Sequence, residues 1–153
     1  MAKPHALQPK PNPTPKHTAH ELQRIASNSM HVLNIRDFSH QTPLGLEILS
    51  HISSSFSGKV DNIPHPLNWK QLNDVWRAWY EADERLEFNM RNCSAYVNEE
   101  EGLANVYMDM DVVGVSNVEL KGFSELCWRK EGGKWMIYRF WGSRGMPGND
   151  GFF

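Results

Sequence analysis

Apolar residues recur at two spacings along this chain, and the change of spacing divides it into a helical first half and a stranded second half. Leu22, Ile25, Ala26, Ser29, Leu33 and Arg36 share one side of a 3.6-residue period, and His31 points away from it. Thr18-Ala-His-Glu21 has capping-box spacing, so the spacing predicts a first helix from Thr18 to near Asp37. A shorter helix fits Pro43–Ser50, with proline in its first turn. Ser53–Val60 reads as a short strand or a loop, with Gly58 weakening either, and the Ile63–Pro66 stretch reads as a rigid connector. Asn68 and Gln71 open a third helix, whose one face carries Leu72, Val75, Trp76, Trp79 and Asp83.

From Arg85 the period becomes two, which predicts antiparallel strands at about 85–97, 103–113, 117–131 and 134–143. The turns are Asn98–Gly102, Gly114–Asn117 and the pair Gly132-Gly133. A one-residue slip swaps the faces of a strand, so register can be tested on side chains. Pairing Val97 with Leu103, Val112 with Val118, and Glu131 with Lys134 gathers one core face. That face holds Phe88, Met90, Asn92, Ser94 and Tyr96, then Ser124, Leu126 and Trp128, then Ile137, Arg139 and Trp141. The other face places Asp109 between Arg91 and Lys121 as a charge ladder and exposes Tyr107, Phe123, Cys127, Tyr138 and Phe140. An aromatic patch of that kind on a monomer usually marks an interface, here a sheet-face homodimer; the alternatives are a scatter of exposed aromatics or coverage by the C-terminal tail.

Composition narrows the classes. The 153 residues suit one domain, and 40% hydrophobic with 22% charged residues is ordinary for a globular chain. A formal charge of −2 gives no pull toward nucleic acid or an anionic membrane, and no apolar run reaches membrane-spanning length. Residues 1–17 hold five of the nine prolines and read as a disordered tail, without the apolar region of a secretory signal. Two cysteines without a CxxC spacing make no disulfide scaffold, so an intracellular, cytoplasmic location is the expectation. The seven histidines lie mostly in the tail or in loops and show no HExxH pattern. The expectation is therefore no metal and no cofactor, and GxGxxG, GxxxxGK[ST] and GxSxG are all absent.

Three helices followed by a long antiparallel meander that ends in a Gly-Lys-Trp hairpin resemble the NTF2-like, or SnoaL-like, superfamily. The residues that carry the resemblance are Leu33–Phe38, Leu49–Phe56, the alternation over Gly102–Val112, and Trp128–Ile137. It covers about residues 18–144. Residues 145–153 follow as a flexible tail or a lid closing on Phe152 and Phe153. At Ser55 a relative often carries an aspartate, so no acid is carried over there. The resemblance implies an α+β cone, with three N-terminal helices packed in a curved, four- to five-strand, mainly antiparallel sheet around a cavity. It also implies chemistry like that of ketosteroid isomerases, polyketide cyclases, scytalone dehydratase and fungal terpenoid isomerases.

Acid–base work in an apolar cone needs a proton-transferring group and a donor to developing oxyanion charge. On the predicted faces Arg139 is the electrostatic anchor, Asp83 or His51 the proton shuttle, and Tyr80 or Tyr96 the hydrogen-bond donor. Trp76, Trp79, Trp128 and Trp141 form walls, while Asn92 and Ser124 orient ligand or water. Each has a plainer structural role open to it, such as an Arg139–Asp83 or Arg36–Asp83 ion pair, or tryptophan as core. The leading expectation is a metal-free isomerase, cyclase or dehydratase acting on a hydrophobic polyketide- or terpenoid-like molecule in secondary metabolism. The rivals are a non-catalytic ligand-binding or dimerising module, and a protein-recognition module using the outer sheet face. A cavity of about 300 Å³ or more favours the enzyme. A filled cone with an exposed apolar sheet favours association.

Overall fold

The computed structural model describes residues 14–115 and 118–147. In chain order these form α1 (Pro15–Asn34), α2 (Pro43–Ser50), β1 (Ile52–Val60), α3 (Trp69–Ala82), β2 (Glu87–Asn98), β3 (Leu103–Val115), β4 (Val118–Glu131) and β5 (Lys134–Pro147). The strands make one sheet in the order β1-β5-β4-β3-β2, with β1 parallel to β5 and the other pairs antiparallel. This is the expected α+β cone. β1 is its fifth strand, because pairing with β5 gives the serine-rich segment a ladder it could not form alone.

Helix boundaries follow from caps. α2 starts and stops as predicted, and α3 has the reciprocal Asn68–Gln71 capping box. α1 begins three residues before Thr18: Thr14 is its cap, accepting from His17 N–H at 3.1 Å, with Pro15 at the first helical position. Thr14-Pro15 was the better signal, since proline at that position gives up only an N–H that is orphaned anyway. Thr18 is instead buried and donates its hydroxyl to Glu99. α1 also ends at Asn34 rather than Asp37, because the chain turns at Arg36, whose φ is +60°. The Gly132-Gly133 hairpin has positive φ at both residues, the geometry its turn type demands. Residues 1–13 and the last six of the proposed lid, 148–153, lie outside the described residues.

Two of the sheet's register shifts, both bulges, exchange faces relative to the expected registers. Phe88 pairs with Val112 and Met90 with Met110 as expected, but an extra residue at Arg91 shifts the rest by one, so Asn98 meets Leu103. Cys93, Ala95 and Val97 therefore pack on the core, while Asn92 and Tyr96 turn outward, correcting their predicted core-face placement. Between β4 and β5 Trp128 pairs with Ile137, but Cys127 pairs with Arg139, leaving Tyr138 as the extra residue. That second shift carries Arg139 and Trp141 to the outer face and brings Phe140 into the core. The β3–β4 register differs from expectation by two, placing Val112 opposite Leu120, and an even shift preserves the faces. It moves the charge ladder to Asp111, with Arg91 at 2.9 Å and Lys121 at 2.6 Å.

Candidate functional site

The space between the helices and the concave sheet face is where a chamber would lie, and aromatic side chains fill it. Phe56, Trp69, Trp76 and Phe140 meet edge-to-face in sequence, at ring-centre distances of 5.2, 5.8 and 5.5 Å. Two voids of about 20 Å³ each remain, with Met30, Leu33, Trp76 and Phe140 lining both. Each has room for a single water, far short of an organic substrate. The polar side chains nearby are engaged: Ser29 donates to Ala26 C=O at 2.6 Å and Asn73 to Trp69 C=O at 2.8 Å. Trp128 is fully buried, and Ser124 is buried with its hydroxyl 3.9 Å from the Met110 sulfur. Trp79 lines the second void beside Trp76.

The predicted catalytic set does not converge there. Arg139 and Tyr96 are exposed on the outer face. Asp83 caps the C-terminus of α3 and pairs with Arg85 at 3.3 Å. Arg36 turns to the carbonyls of Asn34, Glu84 and Leu86 and lies 4.4 Å over the Tyr80 ring. Tyr80 is buried and donates to Asn34 Oδ1 at 2.8 Å; burial pushes its phenol well above the usual range. His51 caps α2, with Nδ1 2.8 Å from Trp135 C=O. Among the described residues no group of three or more His, Cys, Asp or Glu could hold a metal, and no helix is long and apolar enough to cross a membrane.

His40 was not singled out by sequence, yet it is buried at φ +55° beside the first void, its ring 5.3 Å from Trp69. Burial holds its imidazole below the ordinary range, against the opposing pull of Asp37 and the Phe38 backbone. The folded state thus favours neutral His40, and unfolding frees it to take a proton. The resulting stability is complete above the unfolded value near 6.5 and declines as pH falls through the folded one. The urea midpoint is expected to drop between pH 7 and pH 5. His40→Asn, which tolerates the left-handed backbone, should flatten that slope. Carboxylates held low, such as Glu21 and Glu47 beside Arg24, act only at more acid pH.

The outer face carries the exposed apolar surface. Tyr96, Tyr107, Phe123 and Trp141 form a row crossing β2, β3, β4 and β5, with ring centres 5.8, 6.1 and 5.3 Å apart. Tyr96 is 66% and Trp141 50% exposed. The alternation of β3 and β4 placed Tyr107 and Phe123 here; the two bulges added Tyr96 and Trp141. On one flank Asp111 sits between Arg91 and Lys121; on the other Arg129 holds Glu131 at 2.6 Å. Cys127 also lies on this face. Burial, then its hydrogen bond to Glu125, pushes its thiol up to about 12, so it is no nucleophile at neutral pH. Beside Trp141, the outward residues of β1, β5 and β4 enclose a groove of about 520 Å³.

No protein-family model matches the chain, and no curated protein does either. Solved structures match its fold along most of its length. An NTF2-like protein of unknown function from Pseudomonas putida KT2440 superposes with a TM-score of 0.67 at 10% identity, covering 90% of this chain and 93% of that one. A protein proposed to be a dehydratase of the NTF2-like family from Streptomyces avermitilis gives 0.62 at 14% identity, covering 85% and 97%. A hexachlorocyclohexane dehydrochlorinase from Novosphingobium barchaimii gives 0.63 at 12% identity, covering 79% and 82%. The chain therefore has the NTF2-like fold, a scaffold shared with proteins of that dehydratase and dehydrochlorinase type.

Proposed function

We propose that this domain is a non-catalytic association module that pairs with a second copy of itself through the outer sheet face. The observation that carries the reading is the four-ring aromatic row lying over a cone whose two inner voids, among the described residues, hold only about 20 Å³ each. Acid–base catalysis on a hydrophobic molecule needs that molecule enclosed beside converging polar groups, and each of the two inner voids described offers room for a water. A fold hosts many functions, so likeness to a dehydratase scaffold does not restore the chemistry. A contiguous exposed aromatic surface loses water favourably when covered. The choice of a second copy rests on charge. The flanks of the row carry both signs nearly in balance, so the face meets its own copy without net repulsion.

Sedimentation equilibrium tests this. The expected mass at micromolar concentration is twice 17.6 kDa. Phe123→Glu places a charge at the centre of the row and should weaken self-association by about 30-fold or more, the size of a lost interface hot spot. Tyr96→Lys, at the exposed end, should do so with the far-ultraviolet circular dichroism unchanged. A wild-type protein that stays monomeric at several hundred micromolar would overturn the reading.

A further inference from the structure

The balance of charge on the outer face fails at one corner. Lys59 of β1 and Arg139 of β5 are both exposed, and neither has a carboxylate partner among the described residues. They sit two residues apart along the β1–β5 ladder, at successive positions on the same face, since Ser57 pairs with Arg139 and Lys59 with Trp141. Both line the groove of about 520 Å³, with Ser57 between them and the Trp141 and Tyr138 rings as its walls. Arg129 also lines it but is committed, holding Glu131 and donating to Ser55 Oγ at 2.6 Å. We propose that this groove binds an organic anion with a flat apolar body, its carboxylate or phosphate held by Lys59 and Arg139 and its body laid against Trp141.

Four features bear on that chemistry. A guanidinium and an ammonium on neighbouring strands offer donors to one anionic group, and Arg presents them as a planar fork. Ser57 adds a hydroxyl at the same place. The one carboxylate in the lining, Glu125, stands on β4, two strands from Lys59 but on the strand next to Arg139 and diagonal to it across the Cys127–Arg139 pair. Its Oε1 already accepts from Asn105 Nδ2 and the Cys127 thiol, each at 3.1 Å. An exposed tryptophan beside two cations supplies the apolar contact that sets such a ligand apart from a bare inorganic ion.

Isothermal titration calorimetry on the full chain with 2-naphthoate, 2-naphthyl phosphate and neutral 2-naphthylmethanol tests the proposal. At least one anion should bind while the alcohol does not, and the tighter anion identifies the head group. Binding should weaken on going from 20 to 300 mM salt, as charge pairing at an open groove requires. The double variant Lys59→Gln/Arg139→Gln should bind that anion about tenfold or more weakly, the effect of losing charge-assisted hydrogen bonds. Both residues are exposed, so this variant should keep its fold. The same titration on Phe123→Glu covers the case in which a second copy masks the groove: binding there alone still supports the site. Equal affinity for the alcohol, undiminished binding by the double variant, or no anion binding by either wild type or Phe123→Glu would overturn it.

Discussion

Trp128→Ala is expected to lower the unfolding free energy by about 3–5 kcal/mol, the usual cost of deleting a large buried aromatic side chain. For a domain of this size that corresponds to a fall in Tm of roughly 10–15 °C. Trp128 is fully buried, and its backbone pairs with Ile137 at the last regular position before the β5 bulge. His51 stands edge-on to its indole at 5.8 Å. The cavity left by alanine would be walled by a hydrogen-bonded sheet, which collapses poorly. One circumstance reduces the loss: the indole N–H is buried without a hydrogen-bond partner among the described residues, so its removal also relieves an unpaired donor. Trp128→Phe separates the two effects, because it keeps most of the volume and deletes the donor. Urea unfolding should rank wild type and Trp128→Phe close together and Trp128→Ala far below. An alanine variant within about 1 kcal/mol of wild type would show that the cone yields around this residue.

Asn34→Leu is expected to cost about 3–5 kcal/mol through unsatisfied polar groups rather than lost volume. The Asn34 amide donates to Phe88 C=O at 2.8 Å and accepts from Phe88 N–H at 3.0 Å, the exchange a neighbouring strand would make. Its oxygen also accepts the Tyr80 hydroxyl at 2.8 Å. One side chain thus pairs part of the free edge of β2 and ties it to the end of α1 and to α3. Gln23 does the same further along, donating to Cys93 C=O at 2.9 Å. Leucine would leave the Phe88 groups and the buried phenol without partners. Tyr80→Phe alone should cost about 1 kcal/mol, and the double variant less than the sum, since the phenol is already orphaned once Asn34 is gone. Strict additivity in that cycle would mean the Tyr80–Asn34 bond contributes nothing.

The association reading and the anion groove both depend on which side chains the sheet turns outward. Trp141 belongs to the aromatic row and to the groove wall, and it is outside because one extra residue enters β5. The inward placement of Arg139 expected from alternation was lost at the same position. Had the ladder run on without that residue, Arg139 would have pointed into the cone and Phe140 would not have filled it.

Local chemistry determined much of this protein by itself. The bounds of α2, the Asn68–Gln71 cap, the buried faces of α1 and α3 and the Gly132-Gly133 turn are set by contacts within a few residues, so the chain spells them out. Alternation likewise settled where the strands lie and which side Tyr107, Phe123, Leu126 and Trp128 face. The bulges at Arg91 and Tyr138 were decided only in the assembled sheet. A bulge leaves sound alternation on both of its sides, so nothing local reveals the inserted residue, while the curvature that demands it arises from wrapping five strands around three helices. The fates of Asn92, Tyr96, Arg139 and Trp141 hung on that curvature, because a strand has a period of two and one added residue exchanges inside for outside.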